Sequence, residues 1–151
     1  MADATDRWGQ DVALDEDGQA RVAANGELVL SDGVDTGVQD VRLRLLTRLG
    51  ALFYDLDFGS LIHDWIYEES TAVNRAAFVG EVVRCVSTDP RVVVGTVRGS
   101  ILKWDEKTLQ ASVSWRFIDV DQPLNLVLQA DKTVRELVIS DGRYSDLSQA
   151  V

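Results

Sequence analysis

Hydrophobic positions recur along this chain with two different periods, and the alternation between them outlines its elements. Between residues 70 and 101 the period is first helical. With Ala72 as reference at ~100° per residue, Ala76, Val79, Val83 and Val86 share one face, which Phe78, Val82 and Cys85 widen. Asn74, Glu81, Arg84 and Thr88 lie opposite. Ser70 or Thr71 is placed to cap the start, with Glu68 and Glu69 beside the positive end of the dipole. Pro90 keeps Asp89 out of the α region, so the helix has to stop there, and Val92-Val93-Val94 and Val97 read as strand. A second helix is expected over 36–49, with the stripe Val38, Val41, Leu45 and Leu49, a cap at Asp35 or Thr36, and Gly50 at its end. A short third helix is expected after a Ser60 cap, carrying Leu61, Ile62, Trp65 and Ile66 inward. The aromatic stretch Leu52–Gly59 precedes it, and Trp65 and Tyr67 read as core.

Elsewhere the period is two. Asp11–Leu14 and Gln19–Ala23 flank Asp17-Gly18, and Leu28–Leu30 follow Asn25-Gly26, so residues 8–33 read as a β-hairpin unit with positive-φ turns. In the last third Leu109, Ala111, Val113, Trp115 and Phe117 alternate with polar residues, and Leu124, Leu126, Leu128 and Ala130 repeat the period of two. The sheet is expected over 92–104, 109–118, 124–130 and 133–139. The pattern thus predicts an α+β fold: about three helices packed on an antiparallel sheet, preceded by an N-terminal β-hairpin unit. A single domain is expected over 1–151, with its core at about 8–139 and a flexible polar tail over 140–151. No internal repeat stands out.

Charge and cysteine content narrow the function classes. The net charge of −10 argues against nucleic acid as partner. It is uneven: residues 1–35 carry nine acids against two arginines, whereas 36–50 set Arg42, Arg44 and Arg48 against Asp40. No apolar run approaches the ~18–20 residues of a membrane span, and the start has no signal-peptide pattern. Cys85, the single cysteine, excludes a disulfide framework and fits a reducing cytoplasm.

Recognisable catalytic chemistry is sparse. His63, the single histidine, lies next to Asp64, but no G-x-S-x-G presents a nucleophile. Zinc needs several His or Cys ligands, and Asp15-Glu16-Asp17-Gly18 lacks the later acids of a calcium loop. Gly95–Ser100 has the wrong spacing for a phosphate loop and no lysine. No metal or cofactor is expected. One enzymatic scheme needs only two carboxylates, one kept protonated by an apolar pocket: Glu68 or Glu69 as acid, with Asp55 or Asp57 as partner.

The helix-ending corner Asp89-Pro90-Arg91 carries the last observation. A carboxylate at the negative end of a helix dipole is unfavourable, and Arg91 is the local cation to compensate. The corner is either a surface turn with a weak ion pair or a rigid charged knob that docks a partner.

Trp8-Gly9-Gln10-Asp11, Gly26-Glu27-Leu28, Gln39, Arg44-Leu45-Leu46-Thr47-Arg48-Leu49-Gly50, Phe58-Gly59 and Asp89-Pro90-Arg91 occur in this order. In that ordered set the chain resembles the baseplate wedge and sheath-initiator family of contractile phage tails. Its relatives include the type VI secretion baseplate subunit, and it often carries a "lysozyme-like" label. The resemblance implies a non-enzymatic structural role, joining the wedge core to the first sheath ring and initiating sheath assembly. It implies the tail sheath protein and baseplate wedge proteins as partners. Multiple copies would sit in a symmetric baseplate, each a monomer when isolated. The location would be the virion tail baseplate, or the cytoplasmic baseplate of a bacterial injection system. The family's acidic-Pro-Arg signature, usually Glu-Pro-Arg, falls on Asp89, Pro90 and Arg91 and is associated with wedge docking; the shorter Asp is a departure. The sheath side would use an open sheet edge that accepts a partner's strand. The alternative reading is a muramidase using the paired carboxylates.

Overall fold

The computed structural model describes residues 10–15 and 18–142. The chain forms two compact units, the first running to Val41 and the second starting at Arg42.

In the first unit, strand β1 (Gln10–Val12) pairs antiparallel with β2 (Leu30–Asp32), Gln10 opposite Asp32. Between them Leu14 pairs with Ala20, and Val22 with Leu28, closing the two expected hairpins. Gly18 and Gly26 supply the left-handed turn residues. At the centre three backbone hydrogen bonds close a ring. Ala13 N–H donates to Val29 O (2.8 Å), Val29 N–H to Arg21 O (2.9 Å) and Arg21 N–H to Ala13 O (2.8 Å). The three members follow one another at intervals of eight residues, a recurrence that the side-chain pattern does not display. Trp8, Gly9, Glu16 and Asp17 lie outside the described residues.

Helix α1 (Gly33–Leu46) starts directly after β2, three residues ahead of the expected start, with Asp35 in its first turn. Gln39, on its buried face, completes the backbone pairing of the β unit. Its Oε1 accepts from Leu14 N–H and its Nε2 donates to Val12 O, both at 2.9 Å. One side-chain amide thereby does what a neighbouring strand would do.

In the second unit the end of α1 differs from expectation. The helix does not continue to Leu49. Thr47 Oγ1 donates back to Leu43 O (2.7 Å), while Thr47 O accepts from Ser60 N–H (2.9 Å) and Leu49 N–H donates to Ser60 O (3.0 Å). Pairing with a distant segment replaces the last helical turn. Ser60 is therefore no helix cap: it is buried, and its Oγ donates to Leu45 O (2.8 Å). Helix α2 (Ile62–Ile66) begins without a side-chain cap. A helix of five residues turns only one edge inward, so Ile62 and Ile66 are buried, Trp65 is half-buried, and Leu61 and Tyr67 are exposed.

Helix α3 (Ala72–Ser87) is capped by Thr71, whose side-chain oxygen accepts from Asn74 N–H (3.1 Å). Its buried stripe is Phe78, Val82, Cys85 and Val86, whereas Ala72 and Ala76 are exposed. The inward face is thus rotated towards the larger side chains, which bury more apolar area per residue.

Four strands, β3 (Arg98–Trp104), β4 (Thr108–Trp115), β5 (Leu124–Asp131) and β6 (Glu136–Asp141), form an antiparallel meander in that order. The expected alternation holds, since Leu109, Ala111, Val113 and Trp115 on β4 and Leu124, Leu126, Leu128 and Ala130 on β5 are all buried. Helix α3 lies close on β3: a Cβ at Gly99 would sit 3.2 Å from Val79 Cγ1, and the Phe78 and Trp104 rings meet edge to face at 5.6 Å. Strand β3 begins at Arg98 and not at Val92, because Thr96 N–H turns back to Val93 O (3.2 Å) around Gly95 at φ +84°. At the other end β6 extends to Asp141, so the first residues of the expected tail are strand. The tail from 143 onward lies outside the described residues. Among the described residues the architecture is α+β: three helices, a four-stranded antiparallel sheet and an N-terminal β unit.

Candidate docking surfaces

At the end of α3, Thr88 caps with its N–H on the Cys85 and Val86 carbonyls, and Pro90 prevents continuation. Asp89 is no surface residue: only 1% of it is exposed. Its Oδ1 accepts from Arg91 N–H (2.9 Å) and Arg91 Nε (3.0 Å), and its Oδ2 accepts from Arg91 Nη2 (2.8 Å). Burial opposes ionisation of this carboxyl. The bonds from the Arg91 side chain and backbone, with the charges of Arg91 and Arg44, outweigh burial and hold it below the usual carboxylate range. The Asp89 carboxylate therefore organises the corner from inside. Pro90 is exposed and the Arg91 side chain keeps 22% of its surface, so these two form the outer part of the corner.

The sheet offers two edges. Gly142 N–H donates to Asn125 O (2.8 Å), and the register continues through Val127 opposite Ser140 and Gln129 opposite Val138. Hydrogen-bonded pairs alternate along an antiparallel ladder, so the backbone groups of Leu137 and Ile139 point away from β5. The β5–β6 register runs without a shift from Asp131/Glu136 to Leu126/Asp141. The β3 edge is interrupted: its register shifts between Ile101 and Lys103, leaving Leu102 as a bulge. Bulges blunt an edge against pairing. Of the two edges, β6 is the regular one.

The carboxylates considered for acid–base work stand apart from this geometry. Asp55, Asp57, Glu68 and Glu69 all occupy exposed positions, without the apolar enclosure that would hold a general acid protonated. His63 is half-buried, and its Nε2 donates to Leu46 O at 3.0 Å, tying α2 to the end of α1. Burial lowers its pKa, the Leu46 bond and Asp64 oppose this, and Arg48 adds to it. Burial pushes the Cys85 thiol up to about 12, far from a thiolate nucleophile. Among the described residues no group of three or more His, Cys, Asp or Glu side chains is gathered to hold a metal ion, and no helix is long and apolar enough to cross a membrane.

No family model matches the chain. No curated protein matches it either. Among solved structures, one from Geobacter sulfurreducens described as a "putative tail lysozyme" is similar at 24% sequence identity, with a TM-score of 0.57. The likeness covers 70% of this chain and 96% of that one. It shows a shared fold.

Two structural features escape the hydrophobic pattern. Arg44 is half-buried with its guanidinium 4.6 Å from the centre of the Phe58 ring. Within the aromatic stretch Leu52–Gly59, Phe53, Tyr54 and Leu56 are exposed. The acids interleaved with those aromatics, Asp55 and Asp57, are the signal that marks it as surface.

Proposed function

We propose that this chain is a structural component of the baseplate of a contractile tail or related injection machine. There it joins the wedge core to the first sheath ring and initiates sheath assembly. The observation that carries the reading is the regular edge of β6. A sheath subunit that assembles by donating an extended segment needs an uninterrupted ladder, and the outward backbone groups of the half-buried Leu137 are placed to begin one. The tail protein from Geobacter sulfurreducens, similar over nearly its whole length, supports a tail association. On the opposite contact, Pro90 and the outer part of Arg91 meet the wedge, held rigid by Asp89 from within. In this reading the protein turns over no substrate, sits in several copies in the baseplate and is monomeric when isolated.

The test is binding to the sheath and wedge subunits encoded beside it. Leu137→Pro removes an N–H that points away from β5, leaving the β5–β6 ladder bonded. It is expected to abolish sheath binding while the thermal transition and wedge binding persist. Unchanged sheath binding by this variant would refute the β6 assignment. The description of the Geobacter protein keeps a muramidase in play. Its signature would be cell-wall hydrolysis lost on Glu68→Gln or Glu69→Gln, and hydrolysis equal to buffer would dismiss it.

A further inference from the structure

The ten residues from Gly50 to Gly59 form a loop closed at its base. Ser60 clamps it through Thr47 and Leu49, and Cys85 Sγ–H donates to Gly59 O at 3.5 Å. Inside the loop Ala51 N–H bonds Arg48 O (3.0 Å), Asp55 N–H bonds Leu52 O (3.2 Å) and Phe58 N–H bonds Asp55 O (3.2 Å). Phe58 turns inward under Arg44. The tip does the opposite: Phe53 is 89% exposed, Tyr54 72% and Leu56 62%. The Phe53 and Tyr54 rings stack edge to face on each other at 5.2 Å, so each is oriented although neither is buried.

A single exposed apolar side chain needs no account. Three within four residues, on a loop whose own hydrogen bonds hold them outward, form a preorganised apolar tip. The only charges on the loop are Asp55 and Asp57, interleaved with the apolar residues. Two carboxylates beside the anchors repel nucleic acid and an anionic bilayer. They complement a protein surface whose apolar pocket is rimmed by lysine or arginine. The base of the loop is continuous with the wedge-facing corner. Cys85, which binds Gly59 O, lies one turn before Asp89, and the Arg44 charge that covers Phe58 also acts on Asp89.

We infer that the loop is an insertion anchor, with Phe53 and Tyr54 entering a cation-rimmed apolar pocket on the same wedge subunit that meets the corner. This inference rests on the baseplate reading for the identity of that partner. The apolar anchors supply affinity, and Asp55 and Asp57 supply orientation and salt dependence.

The experiment measures affinity of the wild-type chain for the co-encoded wedge and sheath subunits at low and high salt. Two variants are compared, Phe53→Ser/Tyr54→Ser and Asp55→Asn/Asp57→Asn, with folding checked by circular dichroism and urea unfolding. The aromatic variant is expected to lose at least about tenfold in wedge affinity and none in sheath affinity. The asparagine variant is expected to bind the wedge more weakly, with a shallower salt dependence. Equal wedge binding by wild type and the aromatic variant overturns the anchor and leaves the baseplate reading standing. A wild type that binds sheath without wedge overturns the anchor's partner, and one that binds neither overturns the baseplate reading together with it. Self-association, or binding to anionic vesicles, that the aromatic variant abolishes would overturn the partner class.

Discussion

The corner at Asp89 and the loop at Phe53 are neighbours through Cys85 and Arg44, and they handle their side chains in opposite ways. The corner takes a charge out of water and satisfies it internally through Arg91. The loop satisfies its backbone internally and leaves large apolar side chains in water. A buried, fully bonded ion pair shapes the protein that contains it. An exposed apolar group contributes little to its own fold and is available to something else. A charged motif can therefore turn its carboxylate inward as architecture, while a neighbouring aromatic run stays at the surface.

The largest expected effect that sharpens this contrast is Arg91→Ala. It strands the Asp89 carboxylate in the interior and is expected to cost about 3 kcal/mol in urea unfolding. A cost under ~1 kcal/mol would place the corner with weak surface pairs such as Arg48–Asp64, 4.0 Å apart and both about two-thirds exposed. The pair also sets an acid dependence. The folded Asp89 pKa lies below 3.8, so the unfolded chain binds more protons as pH falls through that value, and the stabilisation is lost on acidification. Asp89→Asn is expected to flatten the stability curve in that window.

Next is the strut between corner and loop. At Gly59, with φ +125°, a Cβ would lie 2.7 Å from Thr47 O and 2.9 Å from the Arg48 carbonyl. Gly59→Ala is expected to cost about 1–3 kcal/mol from backbone strain alone. It should also open Cys85 to thiol alkylation, whereas the wild-type thiol stays unreactive under native conditions. Equal alkylation rates would mean that the loop base is not fixed by Gly59.

A smaller effect is expected at His63. Its folded pKa is lowered from 6.5, so the unfolded chain binds more protons below that pH, and stability is complete above pH 6.5 and declines as pH falls below it. His63→Gln keeps a donor for Leu46 O and removes the titration, which should flatten stability between neutral and mildly acidic pH. An unchanged slope would assign it to other groups.

The smallest expected effect on stability is that of Phe53→Ser/Tyr54→Ser, within about 0.5 kcal/mol in urea unfolding despite the loss of two large apolar side chains. A loss of several kcal/mol would make the tip part of the core and erase the contrast with the corner.

Much of the fold is legible in the pattern. The alternation over 109–117 and 124–130 places β4 and β5 in register with their buried residues, and Asn25-Gly26 marks a real turn. The errors cluster where one residue has two ways to satisfy the same groups. Ser60 has the chemistry of an N-cap, yet its hydroxyl goes to Leu45 O, 15 positions earlier. Leu49 fits the helical stripe and Thr47 lies within the expected helical span, yet their backbone pairs with Ser60. Gln39 is one polar position on a helix in the hydrophobic pattern, and in the fold it is the amide that bonds Val12 O and Leu14 N–H. At the candidate site the sequence marks Asp89, Pro90 and Arg91 as a unit, without telling that the carboxylate faces inward.

By itself the sequence determined the order and kind of the main elements. Side-chain period and helix-stopping residues act locally, and Pro90 ends α3 whatever surrounds it. The tertiary structure alone decided which face of each element is buried, which sheet edge is regular and whether an aromatic side chain lies in core or in water. Those outcomes depend on partners distant in the chain, and the free energies of burial and hydrogen bonding that select them exceed the local preferences they override.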